Sequence, residues 1–331
     1  MLDIRRLHML KTVAARGSIT AAAQSLGLSA GAVSQQLSAL RQDVGVELLR
    51  PDGRTVALTQ EGRVLLEHAD RILAAMEEAE CAIAAVRGTV GATATLAALP
   101  STVARIVAPA LTALDAQHPQ LTLTCLVTDQ AQLRELTLGT VDVVLGQRYH
   151  HLPEATHRGI EVSPLLDDPL LVVTAADRAV GRPVALRELA THTLAAPPAT
   201  TECGQAIVHA CHQAGFTPTT RYVTADIAAQ LTLARAGLAT ALVPRTAIDP
   251  TTPGIRTAPL EGDPILRLLF AATRLAETAN PTTTAVVAAL RTAARQDRTS
   301  QLPMAWDSAA HPTVGPSRRP SDRLARTLRA T

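Results

Sequence analysis

The sequence predicts an α/β protein in three pieces: a mainly helical N-terminal domain, one long helix, and a large domain of mostly parallel sheet with helices on both faces. Three observations carry this. Short helical stretches punctuated by glycine fill residues 1–58. An unbroken apolar heptad runs through residues 59–88. From 91 to 295, short apolar runs alternate with helical stretches, the signature of a parallel sheet with crossover helices.

In the first piece Leu7, Leu10, Val13 and Ala14 recur at helical spacing, and Arg16-Gly17-Ser18 breaks the pattern. A second helix follows over Thr20–Leu26, then a Gly27-Leu28 turn and a third helix opened by Ser29, whose hydroxyl suits an N-cap. Val33, Leu37 and Leu40 fall at i, i+4 and i+7 and give that third helix one buried stripe. Ala22 and Ala23 are small where two helices must approach, so 18–37 reads as a helix-turn-helix whose free face carries Ala30, Gly31, Ser34, Gln35 and Ser38. Pro51-Asp52-Gly53 between two apolar runs signals a hairpin.

Leu65, Ala69, Ile72, Met76, Ala79, Ile83 and Val86 then step by 4, 3, 4, 3, 4, 3, a heptad seam that a second copy of the helix would cover. In the third piece the expected strands are 94–99, 121–127, 141–145, 170–174, 194–196, 240–243 and 266–272. Helices are expected over 103–116, 131–138, 204–214 and 227–236. Residues 296–331, with four prolines, Ser and six Arg, read as a disordered tail.

Composition narrows the function. The chain has 331 residues, 47% apolar and 18% charged, enough for two or three cores. Its five aromatics all lie beyond residue 148, which excludes a single-strand binder that stacks bases on rings. Net charge is only +2, but residues 1–65 carry 8 basic against 5 acidic groups, so a basic excess sits on the helix-turn-helix. Four cysteines make no disulfide framework. The N-terminus lacks the pattern of a signal peptide and no run spans a membrane, so a soluble cytoplasmic protein is expected.

The run Arg5-Arg6-Leu7, Gly17 to Ala23, Leu26 to Ser29, Ala32 to Leu37, Leu40, Gly45-Val46, Leu48-Leu49, Leu58-Thr59 and Gly62 closely resembles the N-terminal half of LysR-type transcriptional regulators. Leu99-Pro100-Ser101-Thr102, Pro119 to Leu123, Leu138 to Leu145, Asp168-Pro169-Leu170, Ala214-Gly215-Phe216 and Ala236 to Pro244 extend the resemblance to about residue 290. It implies a winged helix-turn-helix (1–58), a dimerising linker helix (59–88) and a two-lobed effector-binding domain (91–295) like a periplasmic binding protein. Lobe I would take about 91–163 and 266–295, lobe II about 164–265. The implied partners are double-stranded promoter DNA, a small-molecule effector, a second copy or dimer of dimers, and RNA polymerase, with no membrane.

The chain departs from the family where DNA is read. Ala30-Gly31 replaces a common Gln-Pro, Gln35 stands where an Arg is usual, and Pro51 replaces the wing arginine, with Arg50 beside it and Arg54 kept. DNA contacts are expected from Ser18, Thr20, Ser29, Ala30, Ser34, Gln35, Ser38, Arg50 and Arg54. Base readout would lean on Ser34, Gln35 and Ser38, with Gln to adenine the best pairing available. Effector contacts are expected in loops at strand ends, at Ser101, Thr102, Thr128, Asp129, Gln147, Thr200, Thr201 and Asp226. At Ser101 and Thr102, which open a helix, free N–H groups favour a carboxylate or phosphate.

Two alternatives have specific residues behind them. Cys203 and Cys211 lie near the redox cysteines of a peroxide-sensing branch of the family, yet eight helical residues span about 12 Å, too far to bridge without unwinding. A two-lobed solute-binding protein or enzyme shares the implied fold, but G-x-S-x-G, P-loop and dinucleotide motifs are missing. Cys203, His209, Cys211 and His212 show no tetrahedral ligand spacing, so neither metal nor cofactor is expected.

Overall fold

The computed structural model describes residues 1–53, 55–91, 93–128, 132–150, 152, 159–178, 183–249 and 251–299. The N-terminal domain packs α1 (Ile4–Arg16), α2 (Ile19–Leu26) and α3 (Ala30–Val44) with a hairpin of β1 (Leu49–Asp52) and β2 (Thr55–Leu58). Each helix opens on a polar cap that satisfies an otherwise orphaned N–H: Asp3 for α1, Ser18 for α2 and Ser29 for α3. The α2–α3 turn places Gly27 at φ 65°, a left-handed conformation that a side chain would strain. Leu7, Leu10, Val13, Ala22, Ala23, Val33, Leu37, Leu40 and Leu48 form one buried core, joined by Ala69 from the next helix.

That helix, α4 (Gln60–Arg87), has 28 residues and Thr59 as its cap, which makes it about 42 Å long. The structure divides the heptad seam. Ala69 is fully buried and Leu65 is packed against the N-terminal core of the same chain, because α1 lies across the first turns of α4. Ala69 is closed to a second copy, which corrects its place in the seam, while Leu65 stays half-buried. Ile72, Met76, Ala79, Ile83 and Val86 stay exposed, Val86 at 90%.

The large domain is built on β3 (Thr93–Ala98), α5 (Ala108–Gln117), β4 (Thr122–Val127), α6 (Gln132–Thr137), β5 (Val143–Tyr149), β6 (Ile160–Ala175), β7 (Thr193–Ala196), α7 (Glu202–Gln213), β8 (Thr219–Val223), α8 (Ile227–Arg235), β9 (Thr240–Pro244), β10 (Ile255–Ala258), β11 (Leu266–Arg274) and α9 (Pro281–Thr299). The sheet order is β4-β3-β5-β11-β6-β9-β7-β8, with β10 on β6. Each end is parallel, β3 between β4 and β5, and β7 between β8 and β9. The antiparallel strands β6 and β11 join the two ends: residues 160–169 of β6 pair with β11 and 170–173 pair with β9. Separate cores flank the join, one around Leu96, Leu145, Leu269 and Leu290, another around Leu170, Ile207 and Leu242. This is the two-lobed α/β arrangement expected.

Several elements differ from expectation. The expected helix over 103–116 starts as a π-turn over Val103–Val107, with α5 beginning only at Ala108, because Pro109 has no N–H for a continuous ladder. The strand expected at 170–174 begins ten residues earlier, at Ile160. Its prolines are accommodated by a register shift at Leu269/Phe270, opposite Pro164. The tail boundary at 296 is also corrected. Helix α9 continues to Thr299, and Asp297, buried on it, pairs with Arg105 at 2.9 Å. Residues 300–331 of that expected tail lie outside the described residues. Among the described residues no helix is long and apolar enough to cross a membrane.

Candidate functional site

Two surfaces collect the expected site residues. On the first, α3 buries Val33, Leu37 and Leu40 and exposes Ala30, Gly31, Ser34, Gln35 and Ser38 along its other face. Ser18 and Ser29 sit at helix starts with their hydroxyls accepting the Ala21 and Ala32 amides at 3.1 Å each, so they act first as caps. Thr20 is exposed on the first turn of α2. Arg50 is exposed on the wing and makes no ion pair among the described residues, whereas Arg54 lies outside them. Gln36, beside Gln35 in sequence, is committed elsewhere: it accepts from Arg6 Nε at 3.1 Å, while Arg6 pairs with Asp43 at 2.7 Å.

The second surface is a cleft of about 1350 Å³ between the two lobes. Ser101, Gln147, Thr200, Thr201 and Asp226 line it, as expected of residues at strand ends. Thr102 and Thr128 do not. Thr102 is fully buried and donates to the Leu99 carbonyl at 2.8 Å, and the Thr128 carbonyl accepts from the Gln132 amide. The Thr102 expectation is thereby corrected, since a local turn takes its hydroxyl. Asp129 lies outside the described residues. Thr201 lines the cleft, but its hydroxyl donates to Pro198 O and caps α7 through the Gly204 amide.

The floor of the cleft is a buried ion pair that sequence reasoning left out. Arg267 on β11 donates to Asp168 on β6 from Nη2 at 2.5 Å and from Nε at 3.0 Å. Its Nη2 also reaches Thr246 Oγ1 at 2.9 Å, and its Nη1 reaches Ser101 Oγ at 2.8 Å and Gln147 Oε1 at 3.0 Å. All five guanidinium N–H groups are thus engaged, and the neighbouring Asp168 offsets the cost of burying the charge. A signal was available: Arg267 interrupts an apolar strand, where charged residues are almost never buried unless paired. Tyr149 also lines the cleft, with its hydroxyl buried beside Cys203. Burial pushes that hydroxyl well above the ordinary tyrosine range.

Ion pairs fasten lobe I to the N-terminal half. Arg16, on α1, forms a two-pronged pair with Glu135 on α6, both contacts at 2.6 Å. The Arg16 hydrogen bonds hold the Glu135 carboxyl below its ordinary value. Arg274 at the end of β11 donates to Glu77 on α4 at 3.2 Å, to Glu277 at 3.1 Å and to the Leu136 and Val141 carbonyls. Gln132, Leu133 and Arg134 of α6 line the cleft, so one short helix touches both the cleft and α1.

The two cysteines of interest are free. Burial raises the Cys203 thiol above its ordinary value and pushes that of Cys211 up to about 11. Sensor thiols need the opposite shift, since the thiolate is the nucleophile. Both cysteines are therefore expected to resist iodoacetamide at pH 7 in the folded protein, with peroxide leaving DNA affinity unchanged. Rapid labelling of either, followed by mass spectrometry, would restore the redox reading.

Comparison with known proteins places both halves. The bacterial regulatory helix-turn-helix protein, lysR family, matches residues 4–63, and the LysR substrate binding domain matches 87–295. A probable RuBisCO transcriptional regulator of Trieres chinensis is 29% identical over 173 residues, 51% of this chain and 55% of that protein. The chain thus spans about half the length of this relative. The regulator TcbR of Pseudomonas sp. strain P51 is 28% identical over 267 residues, 79% of this chain and 89% of its own. Among solved structures, full-length CbnR in complex with its target DNA has 27% identity and a TM-score of 0.52, covering 88% of this chain and 100% of that one.

Proposed function

Because this chain belongs to the LysR family of bacterial helix-turn-helix regulators, we propose that it binds promoter DNA through α3 and the wing, and that a small molecule in the cleft changes that binding. The observation that carries the reading is the division of α3, with its apolar stripe buried and Ser34, Gln35 and Ser38 exposed. A helix so divided fits the major groove. Ser34, Gln35 and Ser38 read base edges there, and Ala30 offers only an apolar contact, suited to a thymine methyl. Ser18, Thr20, Ser29, Arg50 and Arg54 hold the backbone, which positions the domain without specifying sequence.

A second copy covers Ile72, Met76, Ala79, Ile83 and Val86 on α4, so that two α3 helices reach half-sites one helical turn apart or a multiple of it. Effector contacts come from Ser101, Gln147, Thr200 and Asp226, and α6 carries the change from cleft to α1 through the Glu135–Arg16 pair. The effector must bind one arrangement more tightly than the other, or it shifts nothing. The protein works in the cytoplasm, where the DNA-bound form meets RNA polymerase, and it performs no catalysis of its own.

Titration of the chain's own upstream DNA at two salt concentrations tests this. Affinity should fall steeply with salt as phosphate contacts are lost, while a preference over scrambled duplex persists. Gln35→Ala should reduce that preference by about 1–3 kcal/mol, roughly 5- to 150-fold. Equal affinity for operator and scrambled duplex across all upstream fragments would overturn the reading.

A further inference from the structure

We propose that the cleft takes a zwitterion, an α-amino acid or short amino carboxylate, with its carboxylate against lobe I and its ammonium against lobe II; this rests on reading the cleft as the effector site.

On lobe I, Ser101 Oγ and Gln147 Oε1 both accept from Nη1 of Arg267. Arg267 has no N–H left for a ligand, but it fixes the polarity of the two groups in front of it. The Ser101 hydroxyl proton and both Gln147 amide protons have no acceptor among the described residues, and both residues line the cleft. Arg134, exposed on α6 and unpaired among the described residues, adds a positive charge to the same wall. This wall offers donors, backed by a buried cation. Gln132 departs from the pattern, since its amide nitrogen donates to Thr128 O and its oxygen is left over.

On lobe II the count has the opposite sign. Gln230 donates one amide N–H to Thr224 O at 2.7 Å, which leaves its Oε1 and a second N–H. Asp226 accepts the Ala228 amide on Oδ1 at 2.9 Å, which leaves Oδ2. Glu202, exposed at the start of α7, has no basic partner among the described residues. Thr201 and Thr246 have committed their hydroxyls. What sets this wall apart is the negative charge of Glu202 and Asp226, each with oxygens left to accept.

A ligand that is only an anion would satisfy Ser101 and Gln147 but set its charge against Glu202 and Asp226. One that is only an amine would leave the lobe I donors unmatched, and unmatched buried polar groups are what discriminate most strongly. A zwitterion answers both walls, and the expectation of a simple anion gives way to it.

Thermal-shift and calorimetric titration of the full chain with the twenty standard L-amino acids and the ω-amino carboxylates of three to six carbons tests the proposal. At least one should raise Tm, and for that hit the deaminated carboxylate and the decarboxylated amine should each bind at least tenfold more weakly. Glu202→Gln should narrow the gap between the hit and its deaminated form. Gln147→Glu, with its fold checked by circular dichroism, should abolish binding of both. Silence from the whole panel, or equal binding of the carboxylate alone, overturns the proposal. DNA titration of the same sample separates the two readings: operator binding with a silent panel removes only the ligand class, whereas loss of operator preference removes the regulator.

Discussion

Replacing Asp168 by alanine should destabilise the effector domain by about 3–5 kcal/mol, because it strands a buried guanidinium without its counter-charge. Asp168 is wholly buried and accepts from Arg267, from the Thr246 amide at 3.0 Å and from the Thr246 hydroxyl at 2.7 Å. Three segments meet on this carboxylate: β6, β11 and the turn after β9. A neutral substitution on one side removes the charge but leaves Arg267 with nowhere to go. The double variant Asp168→Ala/Arg267→Met should recover much of the loss, since an apolar pair can replace a buried ion pair at little cost. Urea unfolding of the three proteins measures this. A loss below about 1 kcal/mol for the single variant, the level of an exposed pair, would mean that water reaches Arg267.

The second large effect is expected at Gly62. A methyl group there would stand 2.1 Å from the Leu48 carbonyl oxygen and 3.1 Å from Leu58 Cδ2. The obstacle is backbone on the other side of the wing, so it cannot swing aside as a side chain would. Gly62→Ala should force α4 away from the hairpin and break the Thr59 cap on the Gly62 amide, destabilising the N-terminal domain by about 1–3 kcal/mol. DNA binding should be lost at temperatures where the effector domain is still folded. Circular dichroism melting alongside DNA titration checks both halves; wild-type affinity in a fully folded variant would show that the wing and α4 can separate freely.

Where the sequence was legible, one local signal decided the matter. Gly27, Ser29 and the Val33–Leu37–Leu40 stripe specify a turn, a cap and a buried face that no distant residue alters. The exposed face of α3 followed directly from them. The seam on α4 was read correctly as apolar periodicity, but periodicity does not say which partner covers it. Tertiary packing gave Leu65 and Ala69 to α1 and left the remainder exposed. Strand β8 and the first ten residues of β6 escaped notice for a different reason. Thr219–Val223 is a half-exposed edge strand with an arginine at its centre, and 160–169 holds two prolines and two aspartates.

The cleft was legible only in outline. Strand ends located Ser101, Gln147, Thr200 and Asp226, because topology alone brings such loops together. Thr102 and Thr128 occupy equivalent places in the chain, but the Thr102 hydroxyl bond to Leu99 O and the Gln132 bond to Thr128 O belong to local turns rather than the cleft. The Arg267–Asp168 pair joins residues 99 positions apart, so only the fold could pair them. The polarity of the two walls depends on that pair and on which amide protons are already spent, which no linear pattern contains.

If α3 reads base edges, selection of duplexes from a random pool by the purified protein will show it. Wild-type protein should recover two related half-sites spaced by a helical turn or a multiple of it. Gln35→Ala should recover the same spacing with information lost at one position in each half-site. Recovery of no common sequence, or of an identical sequence by both proteins, would contradict the assignment of α3 as the reading helix.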